Sequence, residues 1–183
     1  MDEIFNNEIA KQVTSAILNK CFSPIISKTT DKFKTLYNEA KIYLEISFQA
    51  YLTNSYEKYS KIKTIIYGIE PKRLYDFFEI PFLRKGSDII KPTTTKILTD
   101  LSKFLIIEGS GGIGKSTLMK HLFLSELKLK DYIPIFIELK DFNEERHLDL
   151  EKLLLEKLNQ FHNTFQEEYL DYALQSGCFL FLL

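Results

Sequence analysis

The first sixty residues alternate apolar and polar positions at helical spacing. Phe5, Ile9, Val13, Ile17 and Cys21 recur every four residues, which places them on one face of a helix. The letters "SP" that follow predict a break. An amphipathic first helix is therefore expected before that point.

A second, longer stripe follows the break. Its apolar residues recur at intervals of three and four and predict a helix from about Asp31 to Lys58, with Thr29 or Thr30 as its cap. These residues are Phe33, Leu36, Tyr37, Ala40, Tyr43, Leu44, Phe48, Tyr51 and Leu52. The aromatic positions resemble a ligand box or a stacking surface for single strands, but helical spacing favours core packing or a partner helix.

The periodicity changes from about Lys61. The stretch "KTIIYGIEPKRLYDFFEIPFL" combines a short β-like run with two prolines and many aromatic residues, which predicts an extended strap lying across another surface. Glycine, proline and hydroxyl residues in "RKGSD" and "KPTTT" then indicate a boundary near residues 85 to 96. We therefore predict an N-terminal helical domain over 1–60 and a strap or linker over 61–96.

The remainder, 97–183, alternates apolar runs with helical patterns. "KFLIIEG", "YIPIFIEL" and "CFLFLL" read as buried strands, and a helix is predicted from Gly114 to about Lys130 through Leu118, Leu122 and Leu127. "DLEKLLLEKLNQF" and "EEYLDYALQSG" read as further helices. Three parallel strands with intervening helices predict an α/β fold of the three-layer sandwich type, incomplete in this chain.

The junction between the first of these strands and its helix carries a glycine-rich motif. It fits G-x-x-x-x-G-K-[ST], the phosphate-binding loop, and lies between a predicted strand and a predicted helix. Its residues are Gly109, Ser110, Gly111, Gly112, Ile113, Gly114, Lys115 and Ser116. Glycines permit positive φ angles and close approach of backbone N–H groups to a polyphosphate, and the helix dipole adds to that attraction.

Three side chains complete the predicted site. Lys115 would reach the β- and γ-phosphate oxygens as a catalytic point charge, and the Ser116 hydroxyl would complete the coordination of Mg²⁺. Thr117 is expected to support the loop. The predicted cofactors are therefore ATP or ADP with Mg²⁺. The alternative without nucleotide binding is a glycine turn between a strand and a helix that carries Lys-Ser by chance.

Composition narrows the class of protein. The 183 residues are 45% hydrophobic with a net charge of −1, and neither half is strongly basic, so a nucleic-acid partner is not expected. Cys21 and Cys178 are far apart and in no ligand spacing, which favours neither a disulfide framework nor a zinc site. The acidic start lacks signal-peptide features and no run has the length of a membrane span, so we expect a cytoplasmic protein.

Other chemistry-bearing residues give weaker signals. Glu138 and Asp141 follow the second strand and are possible acidic substitutes in the site, although acids there are ordinarily solvated or cap the next helix. His121, His147 and His162 form no metal triad and are read as structural or solvated.

The loop and its surroundings resemble the NACHT family of STAND ATPases. The matching segments are "KFLIIEGSGGIGKSTLMKHLF", "YIPIFIELKDF" and "LQSGCFLFLL", and the strap is similar to the one that joins the helical domain of bacterial NACHT proteins to their ATPase core. The resemblance implies an ATP-dependent molecular switch that controls oligomerisation and signalling, with relatives in anti-phage defence. It also implies self-association through the NTPase core and an unknown trigger, such as a phage protein.

The resemblance is incomplete at its acidic residues. The family expects an aspartate shortly after the strand that ends at Leu183, so the sequence is interpreted as truncated before the Walker B acids and as weakly active alone. The chain end is also expected to expose apolar surface around "CFLFLL". Two other hypotheses stay open: a P-loop ATPase of another class, such as an AAA+ loader or a nucleotide kinase, and a helical interaction module with a non-functional NTPase remnant.

Overall fold

A computed structural model describes residues 7–26, 31–63, 70–138, 149–159 and 167–183 of the chain. Several sequence predictions fall outside these ranges, namely those on Phe5, on the Thr29 or Thr30 cap, and on Asp141, His147 and His162. In the described part, no helix combines the length and the apolar character needed to cross a bilayer.

The N-terminal segment forms two packed helices, as predicted. Helix α1 spans Asn7–Ile26 and helix α2 spans Asp31–Tyr59, and the two helices pack against each other. The stripe of α1 lies inward, with Val13 and Ile17 fully buried. The predicted break at "SP" is wrong in position, because α1 continues through this pair to Ile26.

The strap region contains short antiparallel pairs. Strand β1 (Lys61–Ile62) pairs with β2 (Lys72–Arg73), and a single 3₁₀ turn over Leu74–Asp76 follows. Strand β3 (Leu83–Lys85) pairs with β4 (Asp88–Ile90) through a two-residue turn in which Gly86 has a φ of 62°. Helix α3 (Thr95–Thr99) ends the region.

The C-terminal half supplies helices around one parallel strand pair. The helices are α4 (Lys115–Leu129), α5 (Leu150–Asn159) and α6 (Glu167–Gln175), and the strands are β5 (Ile133–Phe136) and β6 (Phe179–Leu182). Strands β5 and β6 pair in parallel, with Ile133 opposite Phe179. Alternation of apolar runs and amphipathic segments therefore correctly predicted α4, α5, α6, β5 and β6. The fold is a mixed α/β arrangement.

One predicted strand is absent. Residues 103–108 have no regular secondary structure, and Phe104 and Ile106 are 81% and 88% exposed. A strand forms where a neighbour accepts its backbone hydrogen bonds and covers its side chains, and in the described chain β6 is paired with β5 rather than with this segment. The prediction of three parallel strands is therefore wrong for this segment, and the parallel sheet has two strands in the described chain.

The hydrophobic core runs without interruption from the N-terminal helices into the C-terminal half. The ring of Tyr59 on α2 makes edge contacts with Phe123 on α4 and Phe136 on β5, at centroid distances of 5.0 and 4.9 Å. Phe136 N–H also donates a hydrogen bond of 3.2 Å to the Tyr51 hydroxyl. In the described part of the aromatic stripe, Phe48 and Tyr51 therefore serve core packing, as the helical spacing indicated, whereas Tyr43 is exposed.

Candidate functional site

The glycine-rich loop leads directly into helix α4. The helix begins at Lys115, and its N-cap residue Gly114 has a φ of 98°. Gly112 has a φ of 79°. A side chain at either position would be strained in this left-handed region, so the loop favours glycine at both places, of which Gly114 is a fixed position of the motif.

The backbone of the loop presents unpaired donors. Gly111 and Gly112 form a turn, and in the described chain the N–H groups of Gly111, Gly112 and Gly114 donate to no backbone carbonyl. They lie just before the N-terminus of α4, a helix of 15 residues, where the positive end of the dipole adds to their partial charges. Free amides beside a helix N-terminus attract an anion such as a phosphate group.

The lysine of the motif folds back over the loop. Lys115 Nζ donates hydrogen bonds to the carbonyl oxygens of Gly109 at 2.6 Å and Ser110 at 2.9 Å. The ammonium group is thereby held against the loop backbone through two solvent-exposed hydrogen bonds. Phosphate oxygens carry more negative charge than carbonyls, so they would compete effectively for the same donor.

The first turn of α4 also offers hydroxyl groups. Ser116 is exposed and Thr117 is half-buried. The Ser116 hydroxyl could serve as one ligand of a Mg²⁺ ion, because Mg²⁺ favours hard oxygen ligands. The ion would take its remaining ligands from phosphate groups and water. Among the described residues, no group of three His, Cys, Asp or Glu side chains could hold a metal by itself. Glu138, the described one of the two proposed acidic substitutes, is half-buried just after β5.

A buried carboxylate fixes the other end of α4. Glu126 accepts hydrogen bonds from the N–H groups of Asp131 at 3.0 Å and Tyr132 at 2.8 Å, and from the Thr95 hydroxyl. Its neighbour Ser125 accepts a hydrogen bond of 3.2 Å from Thr95 N–H. Burial raises the pKa of the Glu126 carboxyl, and these donors only partly oppose that effect.

The sequence interpretation did not identify this cluster, although a signal was present. Glu126 follows Leu118 and Leu122 at intervals of four, so it falls on the buried face of the helix. A carboxylate in that register requires partners, and the structure supplies them from α3 and from the turn before β5.

His121 lies on the same buried face and connects α4 to the strap. Its Nε2 is 3.2 Å from the Pro92 carbonyl oxygen, and its Nδ1 is 3.0 Å from the Tyr75 hydroxyl. The pattern fits the neutral ring, with Nε2–H donating to Pro92 and Nδ1 accepting from Tyr75. The ring also packs against Phe78. The interpretation of His121 as a structural residue agrees with these contacts.

The surroundings of His121 predict a pH-dependent contribution to stability. Burial lowers the pKa of the ring below its ordinary value, the Lys128 charge adds to this, and hydrogen bonds of the ring with the Pro92 and Thr93 backbone oppose it. Because the folded state binds the proton less readily than the unfolded state, stability falls as the pH decreases below about 6.5. We expect the stability advantage of the wild type over His121→Gln to shrink between pH 7.5 and pH 5.5, as measured by urea unfolding. An advantage that grows toward acid would contradict this.

The site therefore consists of the loop, Lys115 and the first turn of α4, held in place by polar contacts along the rest of that helix. Its interpretation depends on this geometry, since no family model, curated protein or solved structure matches the chain.

Proposed function

We propose that the loop of residues 109–116 binds the phosphate groups of ATP or ADP, with Mg²⁺ at Ser116. The observation that carries the proposal is the combination of two positive-φ glycines, free loop amides and the Lys115 ammonium at one helix N-terminus. The glycines let the backbone turn so that its amides can approach a polyphosphate, and the amides and the ammonium group attract its negative charge. The proposal implies a P-loop sandwich fold of which α4, β5 and β6 would form part.

We further propose that nucleotide binding acts as a switch, in the manner of NACHT and STAND proteins. The contacts of α4 support this, because the helix that begins at the loop packs on α2 through Phe123 and on the strap through His121. A displacement of α4 on nucleotide binding would therefore change the contacts of both the N-terminal helices and the strap. Cytoplasmic location, self-association, a phage-derived trigger and a role in antiviral defence belong to the same proposal.

Hydrolysis is a separate matter from binding. The described residues place no carboxylate cluster at the loop, and hydrolysis requires groups that hold the metal and orient the attacking water. We propose binding as the function of this chain and expect at most slow phosphate release from it.

The test is a titration of the 183-residue chain with ATP and Mg²⁺, followed by calorimetry and by thermal unfolding. Wild-type protein should bind and gain melting temperature as the nucleotide concentration rises, because a ligand of the folded state stabilises it. Lys115→Ala should bind roughly 10- to 100-fold more weakly, since it loses a charge-assisted hydrogen bond to phosphate.

The matched control is Lys11→Ala, which removes an equal charge from an exposed position of α1. This variant should bind ATP as the wild type does. If wild type and Lys115→Ala give the same response, or if neither binds, the loop is no nucleotide site and the helical interaction module becomes the better hypothesis. A third outcome would indicate a nucleotide kinase instead of a switch. In that case ATP binding would require Lys115, and the protein would transfer phosphate from ATP to a nucleoside monophosphate.

A further inference from the structure

The hairpin of strands β3 and β4 has one face on the core and one face in solvent. Leu83 and Ile90 lie opposite each other and pack against the hydrophobic core. Arg84 and Ile89 form the neighbouring pair, and because successive side chains of a strand point to opposite faces, this pair points outward. Both are exposed, and Ile89 is 68% exposed. The hairpin is therefore held on the core while its second face stays uncovered.

The open end of the hairpin extends this outer face. Phe82 is 68% exposed, and the Lys91 Nζ lies 5.4 Å from the centroid of the Phe82 ring. This contact holds an ammonium group beside an exposed aromatic ring. We call the four residues Phe82, Arg84, Ile89 and Lys91 the hairpin patch. The hairpin patch combines two large apolar side chains with two cations.

The charge around the hairpin patch is positive. Within residues 82–91 the sequence has three cations, Arg84, Lys85 and Lys91, against one acid, Asp88. None of these three cations forms an ion pair with another described residue. The segment therefore has a local charge of +2 in a chain whose net charge is −1, and its cations are available to a partner.

We propose that the hairpin patch binds the surface of a membrane that contains anionic lipids. Cations attract anionic headgroups, and apolar side chains beside them can enter the boundary between headgroups and acyl chains. A standard protein interface uses about 20–30 residues on each side. The hairpin patch has four exposed side chains on and beside two short strands, and a lipid surface requires no partner of complementary shape.

A single-stranded nucleic acid fits the hairpin patch less well. Proteins that bind single strands stack successive bases on several aromatic side chains along a positively charged groove. The hairpin patch offers one ring, Phe82, and Lys91 already lies over it. The observations therefore favour the lipid surface, and this contact is independent of nucleotide binding at the loop.

The sequence contains no tryptophan, so an introduced tryptophan reports on its own surroundings. Phe82→Trp is titrated, without nucleotide, with vesicles of phosphatidylcholine and with vesicles that also contain phosphatidylglycerol. We expect its fluorescence to shift to shorter wavelength only with the anionic vesicles, and added salt to reverse the shift because it screens the charges. The control is Phe104→Trp, since Phe104 is 81% exposed and also has a lysine over its ring, at 5.6 Å. This variant should show no shift.

Cosedimentation with the same vesicles measures the contribution of each kind of side chain. Arg84→Gln/Lys91→Gln should bind the anionic vesicles roughly 10- to 30-fold more weakly than the wild type, and Ile89→Ser roughly 5- to 10-fold more weakly. These positions are exposed, so the variants should unfold thermally as the wild type does. Lys11→Gln/Lys103→Gln removes two exposed charges outside the hairpin and should bind as the wild type does.

Three results would overturn the proposal. Equal shifts in the two tryptophan variants would mean that any exposed apolar side chain adheres to the vesicles. Equal losses in the two double variants would mean that overall charge determines binding. No response to anionic vesicles, or a response only to a single-stranded oligonucleotide or an acidic polypeptide, would exclude a lipid surface as the partner. Because nucleotide is absent throughout, none of these results bears on ATP binding at the loop.

Discussion

Replacement of Phe123 by alanine is expected to lower the free energy of unfolding by about 3–5 kcal/mol. The Phe123 side chain is fully buried on α4, and its ring makes edge contacts with Tyr51 and Tyr59 on α2. Alanine removes the buried ring and leaves a cavity between the two helices, and the neighbouring aromatic rings have few ways to fill it.

Urea unfolding followed by circular dichroism measures this loss, and Phe104→Ala is the matched control. Phe104 undergoes the same chemical change, but its side chain is 81% exposed, so we expect a change within about 0.5 kcal/mol. The comparison of these two variants also tests whether residues 103–108 form a strand. Were residues 103–108 a buried strand, as the sequence pattern predicted, Phe104→Ala would destabilise the chain by an amount similar to Phe123→Ala.

The contrast between Phe104 and Phe123 shows what an apolar pattern can predict. Helices α1, α2 and α4 have stripes at intervals of three and four, and a helix satisfies its own backbone, so the stripe alone locates it. A strand depends on a neighbour for its hydrogen bonds. The segments "YIPIFIEL" and "CFLFLL" contain β5 and β6, which pair with each other. The segment "KFLIIEG" has no partner strand in the described chain.

The motif predicted one feature of the loop backbone, a glycine at the position just before helix α4, where the chain turns through a positive φ angle. The positive φ angle at Gly114 falls on a fixed glycine of the motif, whereas the one at Gly112 falls on a position that the motif leaves open. The fold-back of Lys115 onto the Gly109 and Ser110 carbonyls was not predictable, since a motif specifies residue types and not side-chain conformations. Which nucleotide the loop prefers depends on contacts outside the motif and stays a prediction.

Glu126 was predictable only in part, because its buried register could be read from the sequence while its partners could not.

Replacement of Glu126 by alanine is the second substitution for which we expect a large loss in the free energy of unfolding. Glu126→Ala removes the acceptor for the N–H groups of Asp131 and Tyr132 and for the Thr95 hydroxyl. Thr95 is buried, and the two N–H donors lie in half-buried residues, so their lost hydrogen bonds are only partly replaced by water. We expect a loss of about 2–4 kcal/mol in the free energy of unfolding, since each buried polar group left unsatisfied costs about 1–3 kcal/mol.

Glu126→Gln separates the hydrogen bonds from the charge. Both N–H groups donate to the same Glu126 oxygen, Oε1, which the glutamine carbonyl can replace, and the glutamine amide can donate to the Thr95 hydroxyl. Because burial raises the pKa of Glu126, the ionised carboxylate is disfavoured in the fold, and a neutral amide of the same shape should cost less than about 1 kcal/mol at neutral pH. Urea unfolding of both variants measures the difference. Equal large losses would mean that the negative charge itself, rather than the acceptor geometry, holds α3 and the β5 turn against the helix that begins at the loop.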